Sequence, residues 1–167
     1  MKTLMLLRHG KAVGTETGPD HERALTERGR AQARQIGGLL VRLGLEPDVI
    51  IASDASRARD TATIAAGDDT ARLTLNPRLY DAPASRILSI VQDLAHSVTC
   101  VLVVGHNPGM GEAARALAGS GEPQAMIDLQ GSFPTGALAV LEFGSSDWSQ
   151  LEFGSAALTR FIIPDAN

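Results

Sequence analysis

The chain opens on an apolar run, Lys2 to Leu7, that stops at Arg8-His9-Gly10. Apolar residues there do not alternate with polar ones, which predicts a short strand buried on both faces. A polar loop rich in Gly, Thr and Asp follows, through Ala24. Thr26 stands as a helix N-cap, Ile36, Leu39, Leu40 and Leu43 recur at helical spacing, and Gly44 supplies the C-terminal glycine. After Pro47, Val49-Ile50-Ile51-Ala52 predicts a second buried strand. It runs into Ser53-Asp54-Ala55-Ser56-Arg57 and a helix to about Ala66, with Ser56 as the expected cap.

Leu73 to Leu75 predicts a short third strand and Ala84 to Leu94 a third helix. Cys100 to Val104 is the clearest buried strand, closed by Gly105-His106-Asn107-Pro108-Gly109, where Pro108 suits the first turn of a helix reaching about Leu117. From Ala137 the pattern changes. Ala137 to Leu141 predicts a strand, Gly144 to Asp147 a turn, Trp148 to Phe153 its hairpin partner, and Leu158 to Ile163 an edge strand. Strands alternating with helices imply an α/β fold, a three-layer α/β/α sandwich whose sheet is mainly parallel with an antiparallel C-terminal portion. With no repeat, linker or low-complexity tract, residues 1–167 read as a single domain.

Composition narrows the function classes. A net charge of −4 gives no global field for holding nucleic acid. An anionic substrate would have to be attracted by a local cluster of arginines. The first apolar run is too short to span a membrane, and no small-residue cleavage site follows it. The lone Cys100 forbids an intrachain disulfide. The expectation is a monomeric cytoplasmic protein without a membrane partner. No Cys/His cluster has metal-ligand spacing, so neither a metal nor a cofactor is expected.

Three polar clusters fall directly after predicted core strands: Arg8-His9-Gly10, Ser53 to Arg57, and Gly105-His106-Asn107. Ligands of open α/β sheets bind outside the carboxyl ends of the strands. Parallel, adjacent strands would therefore bring Arg8, His9, Arg57 and His106 together. Two guanidiniums and two imidazoles suit phosphoryl transfer, which asks mainly for positioning and for positive charge around the equatorial oxygens. Each charge-assisted hydrogen bond contributes about 1.5–3 kcal/mol, so two or three hold a dianion in an acidic protein. A nucleophilic His9 must be neutral at its attacking nitrogen, its other nitrogen donating to an acceptor such as a backbone carbonyl. His106 would donate to a phosphate oxygen.

Blander readings stand beside this one. A histidine after a strand is more often a loop residue than a nucleophile. Gly105 to Gly109 could be a simple strand-to-helix turn. Arg57 could be solvated, although a cation at a helix N-terminus is awkward unless it faces an anion. His21 and His96 read as surface residues, Cys100 as a small hydrophobe, and Trp148 as packing under the C-terminal hairpin.

Leu6-Leu7-Arg8-His9-Gly10 resembles the signature of the histidine phosphatase superfamily, which includes the phosphoglycerate mutases. Further segments are similar to its SixA-type phosphohistidine phosphatase branch: Arg23-Ala24-Leu25-Thr26 with Gly29, Pro47-Asp48, Ser53 with Arg57 and Thr61, Leu79-Tyr80, Val104 to Gly109, and Phe133 to Ala137. The resemblance implies a phosphoglycerate mutase-like fold and a metal-independent phosphatase working through a phosphohistidine intermediate. It matches His9 to the nucleophile, Arg8 and Arg57 to the phosphate-binding arginines, His106 to the second pocket histidine, and Arg23 to an arginine bordering the pocket. Many superfamily phosphatases place an acidic proton donor where Asp81 lies here, though Asp81 also reads as a surface loop residue. The implied substrate is a phosphohistidine on a signalling protein such as a histidine-containing phosphotransfer domain. A small phosphorylated molecule is the alternative, and a non-catalytic phosphate-binding module a third reading.

Overall fold

The computed structural model describes residues 1–165. Its centre is a seven-stranded sheet in the order β3-β2-β4-β1-β6-β7-β5, built from β1 (Lys2–Arg8), β2 (Val49–Ala52), β3 (Leu73–Leu75), β4 (Cys100–Gly105), β5 (Ala118–Gly121), β6 (Leu138–Phe143) and β7 (Ala156–Ile162). Neighbours pair in parallel from β3 through β1, and again between β7 and β5. Only β6 runs against both of its neighbours. The expected sandwich and its antiparallel C-terminal part are both present.

The apolar run of β1 explains the three layers. Leu4 and Leu6 point into one core with Ile87, Val91, Met110, Leu117 and Leu129. Those partners lie on or beside α3 (Ala84–Gln92), α4 (Gly109–Leu117) and α5 (Pro123–Gly131). Met5 and Leu7 point into the other core with Ile36, Leu40, Ala58 and Ala62, from α1 (Glu27–Arg42) and α2 (Ser56–Ala65). Alternate side chains thus serve opposite faces, and every β1 position from Leu4 to Leu7 is buried.

The ends of α1 follow the sequence, whereas α3 stops at Gln92, two residues short of Leu94, and Pro108 is the capping residue of α4 and not its first residue. The Thr26 hydroxyl accepts the Gly29 N–H, and Gly44 takes φ 67°, ending α1 as expected. At α2 the capping position is Ala55, with Ser56 already inside the helix and making no side-chain cap bond. The hydroxyl that serves this turn is Ser53, whose Oγ accepts the Ala55 N–H.

The C-terminal third departs further from expectation. Trp148–Gln150 is a single 3-10 turn, capped by Asp147 accepting the Ser149 N–H, and not a strand. The Trp148 indole is fully buried, its Nε1 donating to Val98 O at 2.8 Å. The partner of β6 is β7, pairing Leu138 with Ile162, so β7 is internal rather than an edge. The edge is β5, Ala-Gly-Ser-Gly, which has no apolar pattern and is a strand because Ala118 to Gly121 pair along β7. The sequence pattern also leaves α5 unassigned. Its signal is local, the Glu122 carboxylate accepting from Gln124 and Ala125 N–H with Pro123 next in line.

Candidate active site

Strand register brings the chemistry together. Arg8 pairs with Gly105 across β1–β4, and Ala52 pairs with Val104 across β2–β4. His9, Ser53 and His106 therefore emerge at one edge of three adjacent parallel strands. The ladder continues past the strands, with His9 N–H donating to Gly105 O and Ser53 N–H to Val104 O, both at 3.0 Å. The two histidine rings lie 5.1 Å apart between centroids. Arg57, in the first turn of α2, is 4% exposed and points its Nε at His9 Nε2, 3.4 Å away.

The segment carrying His9 is clamped on three sides. Gly10 N–H donates to Thr61 Oγ1 on α2, and Lys11 N–H to Gln32 Oε1 on α1. Gly136, at φ 77°, donates its N–H back to the Arg8 and His9 carbonyls. Gly29 lets α1 approach this segment closely: a Cβ there would sit 2.1 Å from Lys11 O.

His9 has the arrangement its proposed chemistry requires. Nδ1 lies 2.7 Å from Gly10 O, an acceptor only, so Nδ1 carries the hydrogen and Nε2 the lone pair. Burial pushes the ring's pKa down to about 3, the Gly10 bond opposing this and His106, Arg57 and Arg8 adding to it. The ring is neutral at pH 7. His106 is likewise lowered to about 4, by burial first and then by the Arg57 charge. Its Nε2 lies 2.8 Å from Ser53 Oγ, while its Nδ1 is buried without a partner. Arg8 donates to Phe133 O at 3.1 Å, and its Nε is likewise buried and unpaired.

Arg8, His9, Arg57 and His106 line one cavity of about 460 Å³, with Arg23, Asp81 and Thr135 on its wall. All six residues singled out from the sequence as site candidates thus meet at one place. Arg23 holds the polar loop, donating to Asp20 Oδ1 at 2.9 Å and to Val13 O at 2.7 Å. Asp81 is exposed, at φ 51°, with no hydrogen bond to the histidines or arginines.

Asp20 was not legible as a site residue. Its carbonyl and carboxylate accept from Arg57, its carboxylate also accepts from Arg23, and the Tyr80 hydroxyl donates to it. Chiefly through the Tyr80 bond, then Arg23 and Arg57, the Asp20 carboxyl is held well below the usual carboxylate range. It rests ionised between both arginines. His21 pairs with Asp54 at the rim, edge-on to Tyr80. His96 is exposed at the opposite end of the sheet, near Asp147. Among the described residues no group of His, Cys, Asp and Glu has the arrangement to hold a metal ion.

The profile of the histidine phosphatase superfamily (branch 1) matches residues 4–84. An uncharacterized protein of Mycobacterium tuberculosis is 34% identical over 160 residues, 95% of this chain and 99% of that protein. Two solved structures assigned as the phosphohistidine phosphatase SixA superpose along almost the whole chain. The Agrobacterium tumefaciens protein gives a TM-score of 0.81 at 30% identity, covering 98% of both chains. The Nakamurella protein gives 0.83 at 28%, covering 99% of this chain and 97% of the other.

Proposed function

The chain belongs to the histidine phosphatase superfamily, a phosphatase by its fold and its relatives, and we propose that it acts through a phosphohistidine formed on His9, with a phosphorylated histidine of a signalling protein as substrate. The observation that carries the first part is the state of His9: neutral, its Nδ1–H held by Gly10 O, and its Nε2 lone pair turned toward Arg57 in a cationic cavity.

A substrate phosphoryl group entering the cavity replaces Asp20 on Arg57 and takes donors from Arg8 and His106. Nε2 of His9 attacks phosphorus in line. The new P–N bond forms as the bond to the leaving group breaks, and the departing electron pair stays with the leaving group. Water then attacks the phosphohistidine, releasing inorganic phosphate and restoring His9. The arginines and His106 hold the equatorial oxygens in both steps. No metal or cofactor enters this scheme.

The substrate class rests on the acids. Asp20 is ionised and bonded to three partners, so it has no proton to give. Asp81 is exposed at the rim without an orienting bond to the pocket groups. An alkoxide leaving group needs a proton, whereas a phosphohistidine whose ring is protonated departs as neutral imidazole. A site without a poised acid favours the phosphoramidate. The SixA assignment of the two similar structures supports the same class.

Two measurements test this. In EDTA, an aryl phosphate is hydrolysed by the wild type, and His9→Ala loses activity by at least about a thousandfold, as expected for a nucleophile. Equal rates would remove His9 from the reaction. A phosphorylated phosphotransfer domain then loses its label far faster than an unactivated alkyl phosphate is hydrolysed. Comparable turnover of the two would favour a small-molecule phosphatase.

A further inference from the structure

Neutral imidazole has two tautomers, and only one of them offers a hydrogen at a given nitrogen. We propose that Ser53 is a positioning residue that fixes His106 as the tautomer protonated on Nδ1, so that this N–H meets an oxygen of the bound phosphoryl group. The proposal rests on the cavity being the phosphoryl site.

Ser53 is fully buried, one residue beyond β2, and its Oγ has two polar neighbours among the described residues. It accepts the Ala55 N–H at 3.2 Å and lies 2.8 Å from His106 Nε2. A hydroxyl carries one hydrogen and can accept through its lone pairs. Were the proton on Nε2, Ser53 would accept from both neighbours, and its own hydrogen would be buried with no acceptor. His106 Nδ1 would then be a bare lone pair in the wall of a site built for an anion, where it repels. With the proton on Nδ1, the Ser53 hydroxyl donates to Nε2 while accepting from Ala55, and every polar group of the serine is satisfied.

That arrangement leaves one group over, the Nδ1–H of a ring that is 5% exposed. Buried donors are rarely left unpaired in native proteins. Arg8, which lines the same cavity, carries a second buried donor without a partner, its Nε. Two residues that line one cavity thus each carry an unpaired donor, and a phosphoryl oxygen is the kind of acceptor that would pair with it. The sheet prepares this contact: the Ala52–Val104 register carries Ser53 level with Gly105, and the imidazole of the next residue, His106, reaches across to the Ser53 hydroxyl.

The test reads the proton directly. The side-chain ¹⁵N resonances of His106 are recorded at pH 7 in phosphate-free wild-type protein and again with inorganic phosphate. A pyridine-type Nε2 with a protonated Nδ1, whose resonance moves when phosphate is added, is the expected result. A protonated Nε2 in the wild type overturns the proposal without any variant. Ser53→Ala shifts the ring toward the Nε2–H tautomer and weakens phosphate binding roughly tenfold to a hundredfold, the range of one charge-assisted hydrogen bond. Ser53→Thr keeps the hydroxyl and the wild-type ¹⁵N pattern. A Ser53→Ala protein that only melts earlier, with its His106 resonances unchanged, shows a structural serine and refutes the assignment. Failure of the reaction scheme is seen separately: His9→Ala would then turn over like wild type while the His106 tautomer stayed as described.

Discussion

At the scale of single residues, the site is built from groups kept out of their usual protonation behaviour. His9 and His106 are held neutral by burial and by neighbouring cations, with pKa values near 3 and 4. The consequence for stability has a definite sign. Below about pH 6.5 an unfolded histidine takes up a proton. The folded rings refuse theirs until the pH approaches 4 and then 3, so acid favours the unfolded chain across that window. Urea midpoints are therefore expected to be highest above pH 6.5 and to fall steadily from there to pH 4.5. His106→Gln removes one of these groups and flattens the decline. A wild-type midpoint that does not change over this range would show that the rings protonate freely in the fold. Arg8, His9, Arg57 and His106 were readable because each follows a recognisable apolar run. Asp20 was not, because it lies in an irregular polar loop whose path no periodicity sets. Only the fold reveals that its carboxylate rests against Arg57 and Arg23.

Elements explain where reading the chain succeeds and where it stops. Strands β1, β2 and β4 are short, continuous apolar runs, buried on both faces, and their ends carry the chemistry. Patterns of that kind are legible because a parallel sheet under two helix layers favours apolar residues at consecutive positions, as at Leu4 to Leu7 and Val101 to Val104. Trp148 to Phe153 reads as the hairpin partner of β6 because it follows a turn signal and mixes Trp148, Leu151 and Phe153 with polar residues, as a half-buried strand would. In the fold Trp148 is drawn into the core beneath Val98 instead, and the pairing falls to Ala156–Ile162. A strand such as β5 owes its conformation to its neighbour and carries no pattern of its own. Helix α1 offers a sharp test of how tightly an element positions the His9 segment. Gly29→Ala forces a Cβ against Lys11 O and is expected to cost about 1–3 kcal/mol, with a loss of turnover beyond that expected from unfolding alone. Gly38→Ala, on the same helix, meets only the flexible end of Arg42 and should gain about 0.5–1 kcal/mol. Urea unfolding and aryl phosphate turnover of the two variants check both expectations, and equal behaviour would mean that α1 does not press on the His9 segment.

Across the whole molecule, the cationic cavity and the single tryptophan mark opposite ends of the sheet. Trp148 contacts Val98, just before β4 begins, while His106 follows the end of the same strand. Its emission therefore reports unfolding at a distance from the site. If residues 1–167 are one cooperative unit, tryptophan fluorescence and far-ultraviolet circular dichroism will give the same urea midpoint. Saturating inorganic phosphate should raise both by an equal amount, because a ligand that binds only the native state stabilises all of it. Separate transitions would divide the chain. One further consequence lies in the pairing of β1, β2 and β4. Each chemical group is fixed by how many residues separate it from the last rung of its ladder, not by its place in the chain. Distant relatives can then lengthen the connections between strands freely, and equivalent side chains are found by counting outward from those rungs. One residue deleted within β1 would turn the following backbone over and send Arg8 and His9 to the wrong sides of the sheet.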